Sequence, residues 1–109
     1  MDTNQLKFLM YRAAEGDVSV NAVIRDETIW LTQKAMAELF GVNVPAISKH
    51  LSNIYDEGEL IRSSTVSKME MVQNEGSRQV RRFTEFYNLD AIISVGYRFN
   101  SRRATQFRF

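Results

Sequence analysis

Apolar and polar residues alternate along VSVNAVIR at positions 18–25, where Val18, Val20, Ala22 and Ile24 are interleaved with Ser19, Asn21, Val23 and Arg25. Successive side chains of a strand point to opposite faces of a sheet, so this pattern predicts a half-buried β-strand. Residues 26–28 then predict a turn, and residues 29–31 predict a returning strand.

Residues 5–12 fit two different spacings. Leu6, Leu9 and Met10 have helical spacing, whereas Leu6, Phe8 and Met10 alternate, and residues 15–17 follow as a turn signal. We interpret this segment as a first strand. The N-terminal part is then a small antiparallel sheet of about three strands.

Helical signals begin at Thr32, a good N-cap for a helix that runs to about Phe40. Gly41 supplies a tight break. Asn43 can cap a second helix, in which the early Pro45 needs no amide donor. This second helix is predicted over about residues 43–57 and ends at Gly58.

Residues 65–87 return to strand patterns on both sides of residues 74–77, which predict a four-residue hairpin loop. Residues 89–95 predict a short helix that closes near Gly96, with Asn88 as its cap. A further helix is predicted from Asn100 or Ser101 to the last residue. Because its pattern stops without a C-cap, we expect residues 1–109 to be the N-terminal part of a longer chain.

The composition bounds the function classes. A chain of 109 residues with 44% hydrophobic and 25% charged residues predicts one soluble domain. The apolar runs are too short to span a bilayer, and the polar N-terminus does not predict a signal peptide. With no cysteine there is no disulfide framework or thiolate metal site, which fits a cytoplasmic location.

Charge is distributed unevenly between the two parts of the chain. Residues 1–60 carry five Lys/Arg and nine Asp/Glu, whereas residues 61–109 carry nine and four. A surface that binds a polyanion would therefore draw on the second part. The alternative is that the arginine excess is merely solvated.

The stretch QKAMAELFGVNVPAISKHL, at positions 33–51, has the spacing of a helix-turn-helix. Ala37 is small where the second helix crosses the first, and Gly41 tolerates the turn. The apolar residues that fall where the helices would meet are Met36, Phe40, Val42, Ile47 and Leu51. Polar or small residues fall on the outer face of the second helix, the one that enters a DNA major groove. An ordinary helical hairpin remains the alternative.

The hairpin that follows carries Lys68, Arg78, Arg81 and Arg82, and together with the helix pair it predicts a winged helix-turn-helix domain of α+β class. In such domains the hairpin, or wing, contacts the DNA backbone.

Other chemistry is sparse. His50 is the only histidine, so no histidine pair can bind a metal, and a packing or phosphate-contacting role is favoured. Asp56, Glu57 and Glu59 could bind a divalent cation, but a solvated helix end is the better interpretation. No phosphate loop or nucleophile motif occurs. We therefore predict no enzymatic activity, cofactor, metal site or small-molecule ligand.

The blocks DETIWLTQKAMAELFGVNVPAISKHLSNIYDEGEL and YNLDAIISVGYRFNSRRATQFRF resemble the N-terminal region of the RhuM-type virulence-associated family of bacteria. More loosely, they resemble the N-terminal domains of phage antirepressors. The resemblance covers nearly the whole chain and implies a cytoplasmic DNA-binding domain followed by a C-terminal region. It also favours a strand at residues 5–12, and it supplies no catalytic residues.

Together these patterns predict a regulator or antirepressor-like domain that binds double-stranded DNA as a homodimer. The residues predicted to contact DNA are Thr32, Gln33, Asn43, Ser48, Lys49, Ser52, Lys68, Arg78, Arg81 and Arg82. Ser48 and Lys49 would reach base edges, Thr32 and Gln33 would anchor phosphates, and the hairpin at about 65–87 would hold the backbone. The alternative is a protein-interaction module that positions a C-terminal effector.

Overall fold

A computed structural model describes residues 5–13 and 16–99, which form an α+β fold of one five-stranded antiparallel sheet and four helices. The strands are β1 (Gln5–Ala13), β2 (Gly16–Arg25), β3 (Thr28–Leu31), β4 (Val66–Glu75) and β5 (Arg78–Asn88). The helices are α1 (Gln33–Phe40), α2 (Val44–Asp56), α3 (Arg62–Thr65) and α4 (Leu89–Phe99). The predicted α+β class and the strand at residues 5–12 are confirmed.

The sheet is wider than the predicted N-terminal sheet, because its strand order is β1-β2-β3-β5-β4. Two residue pairs, Trp30 with Asn88 and Leu31 with Tyr87, join β3 to β5. The three N-terminal strands and the hairpin β4–β5 therefore belong to one sheet. None of the helices in the described part of the chain is long and apolar enough to cross a membrane.

The hairpin β4–β5 is longer than its sequence suggested. Asn74 pairs with Gln79 and Glu75 with Arg78, so only Gly76 and Ser77 connect the strands. Gly76 has a φ of 64°, which suits the left-handed backbone of a two-residue hairpin turn. The predicted four-residue loop at 74–77 was wrong, because Asn74 and Glu75 extend the strand.

The main core lies between one face of the sheet and the helices. Leu31 and Tyr87 project from neighbouring strands into this layer, where they meet side chains from α1, α2 and α4. The largest fully buried side chains on the helices are those of Met36, Leu39, Ile47, Ile54, Ile92 and Val95. The sheet therefore supports α1 and α2 from one side.

A second apolar cluster lies on the opposite face of the sheet. It contains Val23, Trp30, Met69 and Phe86, all buried. Val23 was predicted on the polar face of β2, and that interpretation was wrong because Val23 pairs with Trp30. The Arg25 guanidinium lies 5.1 Å from the Trp30 ring centroid, a cation–π contact at the edge of the cluster.

The helix boundaries follow local capping interactions. The side chains of Thr32, Asn43 and Asn88 accept hydrogen bonds from the backbone amides of Ala35, Ala46 and Ala91, as the predicted N-caps require. α4 continues to Phe99, three residues past the predicted end near Gly96. Gly96 is buried within the helix and does not end it. The helix predicted from Asn100 or Ser101 lies outside the described residues.

Candidate nucleic-acid interface

α1 and α2 meet across a short turn whose geometry depends on Gly41. This residue has φ 70° and ψ 39°, and the amide of Val42 donates to the carbonyl of Ala37 at 3.0 Å. Ala37 is buried, which lets the second helix pass close to the first. The small residue and the left-handed residue thus occupy the positions predicted from their spacing.

The inner surfaces of the two helices are apolar. Met36, Phe40, Ile47 and Leu51 are buried, and Val42 packs against them from the turn. Every residue predicted at this contact therefore faces the core. The opposite surface of α2 is left to solvent.

The outer surface of α2 is formed by Val44, Pro45, Ser48, Lys49 and Ser52, all exposed. Their spacing places them on one side of the helix. Lys49 has no ion-pair partner within the described residues, so its ammonium is available to an external anion. Ser48 and Ser52 add hydroxyls beside it, whereas Val44 and Pro45 offer no side-chain hydrogen bond.

Asn43 is committed in part to the fold. Its side-chain oxygen accepts from the Ala46 amide at 2.9 Å, which caps α2. The residue is exposed, so its amide NH₂ group remains available to a ligand. Asn43 could then donate to a base edge or phosphate but not pair with adenine through both atoms.

The start of α1 is also tied to the fold. The Thr32 hydroxyl accepts from the Ala35 amide at 3.1 Å, and the Gln33 amide nitrogen donates to the Tyr87 hydroxyl at 3.0 Å. Both residues are half-buried. The Thr32 O–H and the second N–H of the Gln33 amide take no part in these two hydrogen bonds, so each side chain keeps a donor for the predicted phosphate contact.

A polar network, not predicted from the sequence, extends from Tyr87 to the start of the hairpin. The Tyr87 hydroxyl donates to Glu85 at 3.2 Å, and Arg62 donates to the other oxygen of the same carboxylate. The Arg62 hydrogen bond is the main cause that lowers the pKa of Glu85 below its usual range. Burial raises the pKa of Tyr87, which keeps its hydroxyl protonated. The network fixes β5 against α1 and α3.

The Arg62 guanidinium also connects this network to α2. It lies 5.7 Å from the ring centroid of Tyr55, and the Tyr55 hydroxyl is 2.8 Å from that of Thr65. These contacts hold the C-terminal part of α2 against the start of β4.

The four basic residues of the hairpin differ in their pairing. Arg82 donates twice to one oxygen of Glu75, at 2.8 and 3.1 Å. Arg81 lies 3.5 Å from Glu70 on the other face of the hairpin. Lys68 and Arg78 have no ion-pair partner within residues 5–13 and 16–99. The strand register places Arg78 and Arg82 on one face and Lys68 and Arg81 on the other.

His50 packs between α2 and α4. Its ring meets the Phe99 ring edge-on, with 4.5 Å between the centroids, and its Nδ1 atom is buried without a partner in the described part of the chain. Burial, together with the charges of Arg98 and Lys49, lowers the pKa of His50 below 6.5. This position supports the predicted packing role.

The carboxylates at the end of α2 are engaged by α4. Arg98 donates to Glu57 at 2.8 Å and to Glu59 at 2.9 Å. The hydrogen bond from Arg98 is the main cause that lowers the pKa of Glu59. Among the described residues there is no group of three or more potential metal ligands. This end of α2 is therefore held to α4 by an arginine.

The comparison with protein families gives a match to the C-terminal part of the chain. Residues 64–109 match the model of the Virulence protein RhuM family. The resemblance to the RhuM-type family that the sequence indicated is thus confirmed over residues 64–109. The RhuM match does not extend to α1 or α2, and the looser similarity to phage antirepressors is not confirmed. No curated protein and no solved structure matches the chain.

Proposed function

We propose that this chain is a winged helix-turn-helix domain that binds double-stranded DNA, with α2 in the major groove. The observation that carries the proposal is the outer face of α2. It presents Lys49, which has no ion-pair partner among the described residues, between two exposed serines on the helix that follows a tight left-handed turn. Lysine and serine side chains reach phosphates and base edges from such a helix.

The connection of the strands supports the winged arrangement. β3 precedes the helix pair, the hairpin β4–β5 follows it, and β3 pairs with β5. In a winged helix, one strand and a hairpin likewise pair to form a sheet beside the helix pair. Here β1 and β2 extend the sheet beyond β3, and α4 packs against α1 and α2 from the C-terminal side.

The hairpin supplies the second surface in this proposal. Arg78 lies beside the turn, where a wing approaches the backbone, and it has no ion-pair partner among the described residues. Arg82 shares its face and is held by Glu75, so DNA would compete with that carboxylate. We therefore expect Arg78 to contribute more to phosphate binding than Arg82.

The decisive experiment is binding to a labelled random duplex, measured by fluorescence anisotropy over a series of salt concentrations. We expect binding at low salt, with an affinity that decreases linearly on a logarithmic salt scale. The matched control is a short labelled polyanion without base pairs, such as polyphosphate. No binding to duplex DNA at low salt would reject the proposal.

A second candidate is a protein-interaction module that positions a C-terminal effector. Phe83 is 72% exposed and Val72 53% exposed on the same face of the hairpin, where a DNA-binding wing would carry polar side chains. The ion pairs of Arg81 and Arg82 with glutamates also reduce the positive charge of the hairpin. This candidate would be favoured if the wild-type protein did not bind DNA and if Phe83→Ser abolished its binding to a partner protein.

A further inference from the structure

β4 lies at the end of the sheet. Within the part of the chain that the structure describes, it pairs with β5 on one side and with no strand on the other. An edge strand of ten residues presents a row of backbone donors and acceptors to a further strand. The side chains along this edge determine which strand can pair with it.

Two residues of opposite charge lie near the middle of β4. Lys68 and Glu70 are exposed, project from the same face and flank Met69. If a second copy of β4 pairs antiparallel about a two-fold axis at Met69, Lys68 of each copy lies opposite Glu70 of the other. Opposite charges directly across two strands stabilise their pairing.

The same register matches the neighbouring positions. Val66 then lies opposite Val72 of the second copy, and Ser67 lies opposite Met71. Val72 is 53% exposed in the single chain, so this pairing would cover an apolar side chain. A two-residue shift in either direction places Lys68 opposite Lys68 or Glu70 opposite Glu70, and like charges in these positions are destabilising.

We infer that β4 is a self-association edge, which pairs antiparallel with β4 of a second copy in the register centred on Met69. The two sheets then form one continuous ten-strand sheet, given the five strands of each chain. A lysine on an edge ordinarily discourages pairing. Glu70, two residues further along the same face, makes this edge complementary to itself. The inference concerns a protein partner and does not depend on DNA binding.

Charge reversal tests both the surface and the register. Lys68→Glu and Glu70→Lys each replace two attractive pairs between the copies with two repulsive ones, and Glu70→Lys also removes the ion pair of Glu70 with Arg81 of the same chain. We expect the dimer Kd, measured by sedimentation velocity without DNA, to increase about tenfold or more in each single variant. The double variant Lys68→Glu/Glu70→Lys restores both attractive pairs, and its dimer should return to near the wild-type Kd.

A mixture of the two single variants provides the sharpest control. Lys68→Glu chains carry two acids at these positions and Glu70→Lys chains carry two bases, so the mixed pair is complementary where each pure sample is repulsive. We expect a heterodimer in the mixture. Because each chain in the mixture keeps its own folding defect, partial unfolding of a single variant cannot imitate this rescue.

Crosslinking tests the same register independently of affinity. The chain has no cysteine, so Lys68→Cys and Glu70→Cys each introduce one thiol. Mixed chains should form a disulfide faster than either chain alone, because residue 68 faces residue 70 of the partner. Wild-type protein that stays monomeric at about 1 mM, or a double variant without rescue, would overturn the inference.

Discussion

The side-chain amide of Gln33 donates a hydrogen bond to the hydroxyl of Tyr87, and the two atoms are 3.0 Å apart. Gln33 is the first residue of α1, and Tyr87 lies on β5, so this bond joins the helix pair to the hairpin. The Tyr87 hydroxyl in turn donates a hydrogen bond to Glu85 at 3.2 Å. The orientation of α1 relative to the hairpin is therefore fixed by a buried phenol.

Tyr87→Phe should destabilise the protein by about 1–2 kcal/mol, because Gln33 and Glu85 each lose a partner in a half-buried site. Urea denaturation followed by circular dichroism measures the loss. Tyr97→Phe is the matched control, because the Tyr97 side chain is 51% exposed. We expect the free energy of unfolding of this variant to differ from that of the wild type by less than about 0.5 kcal/mol. Equal effects of the two substitutions would show that the hydroxyl network is not stabilising.

Gly41→Val should destabilise the fold by on the order of 1–2 kcal/mol, because a β-branched residue is strained in the left-handed region. Gly41 has a φ of 70° at the turn between α1 and α2. Gly41→Asn is the control, since asparagine tolerates this conformation better. A melting temperature unchanged by valine would contradict the strain at this turn.

Lys49→Ala should weaken binding to a preferred DNA site more than binding to random DNA, given its central place on the outer face of α2. Loss of a base contact typically costs about 1–3 kcal/mol of discrimination. Lys34→Ala removes the same charge from the exposed surface of α1 and should leave discrimination unchanged. If Lys49→Ala lowers the affinity for the preferred site and for random DNA equally, Lys49 contacts a phosphate and does not read a base.

Replacement of Arg78 and Arg82 together should flatten the dependence of log affinity on log salt by roughly 0.9 per lost contact, so by up to about 2 units. The two arginines share one face of the hairpin. Sequence preference should survive, because backbone contacts do not read bases.

Arg81→Ala serves as the control for that titration, because its side chain lies on the opposite face of the hairpin. We expect its slope to match that of the wild type. A slope that changes only in the Arg81 variant would show that the other face approaches DNA. Identical slopes in all proteins would assign the arginines to a protein partner or to solvent.

Stability should decrease as the pH falls below about 6.5, because the unfolded state then binds a proton that native His50 resists. Stability decreases with falling pH because the pKa of His50 is lower in the folded than in the unfolded state. The decrease continues until the pH falls below the pKa of His50 in the folded state. Denaturation at about pH 8, 6 and 5 measures it. His50→Phe keeps an aromatic ring against Phe99 and should remove this dependence. A pH profile shared by both proteins would assign the change to carboxylates.

Local chemistry made the helix pair predictable from the sequence. Thr32, Gly41 and Asn43 act on backbone groups within a few residues of themselves, so their types alone indicate where helices begin and end. Gly96 misled the prediction because it is buried inside α4, which continues for three more residues, and it does not act as a C-terminal cap.

The long-range relationships were not readable from the sequence. The pairing of Leu31 with Tyr87 and the contact of Arg62 with Glu85 join distant segments, and no periodicity marks them. For the candidate interface, exposure of Ser48, Lys49 and Ser52 followed from helical spacing. The use of Gln33 in the fold and the pairing of Arg82 with Glu75 could not be inferred, because each depends on a partner chosen by tertiary structure.

The short ladder between β3 and β5 has a consequence for the order of folding. The hairpin β4–β5 forms between neighbouring segments, whereas the β3–β5 pairs close a loop that contains α1, α2 and α3. Loop closure costs conformational entropy before the contacts that it allows are gained. We therefore expect the hairpin to form early and the β3–β5 closure to limit the folding rate. Substitutions at Leu31 and near Gly76 should then both slow refolding, because both sets of contacts are formed by the time of the rate-limiting closure.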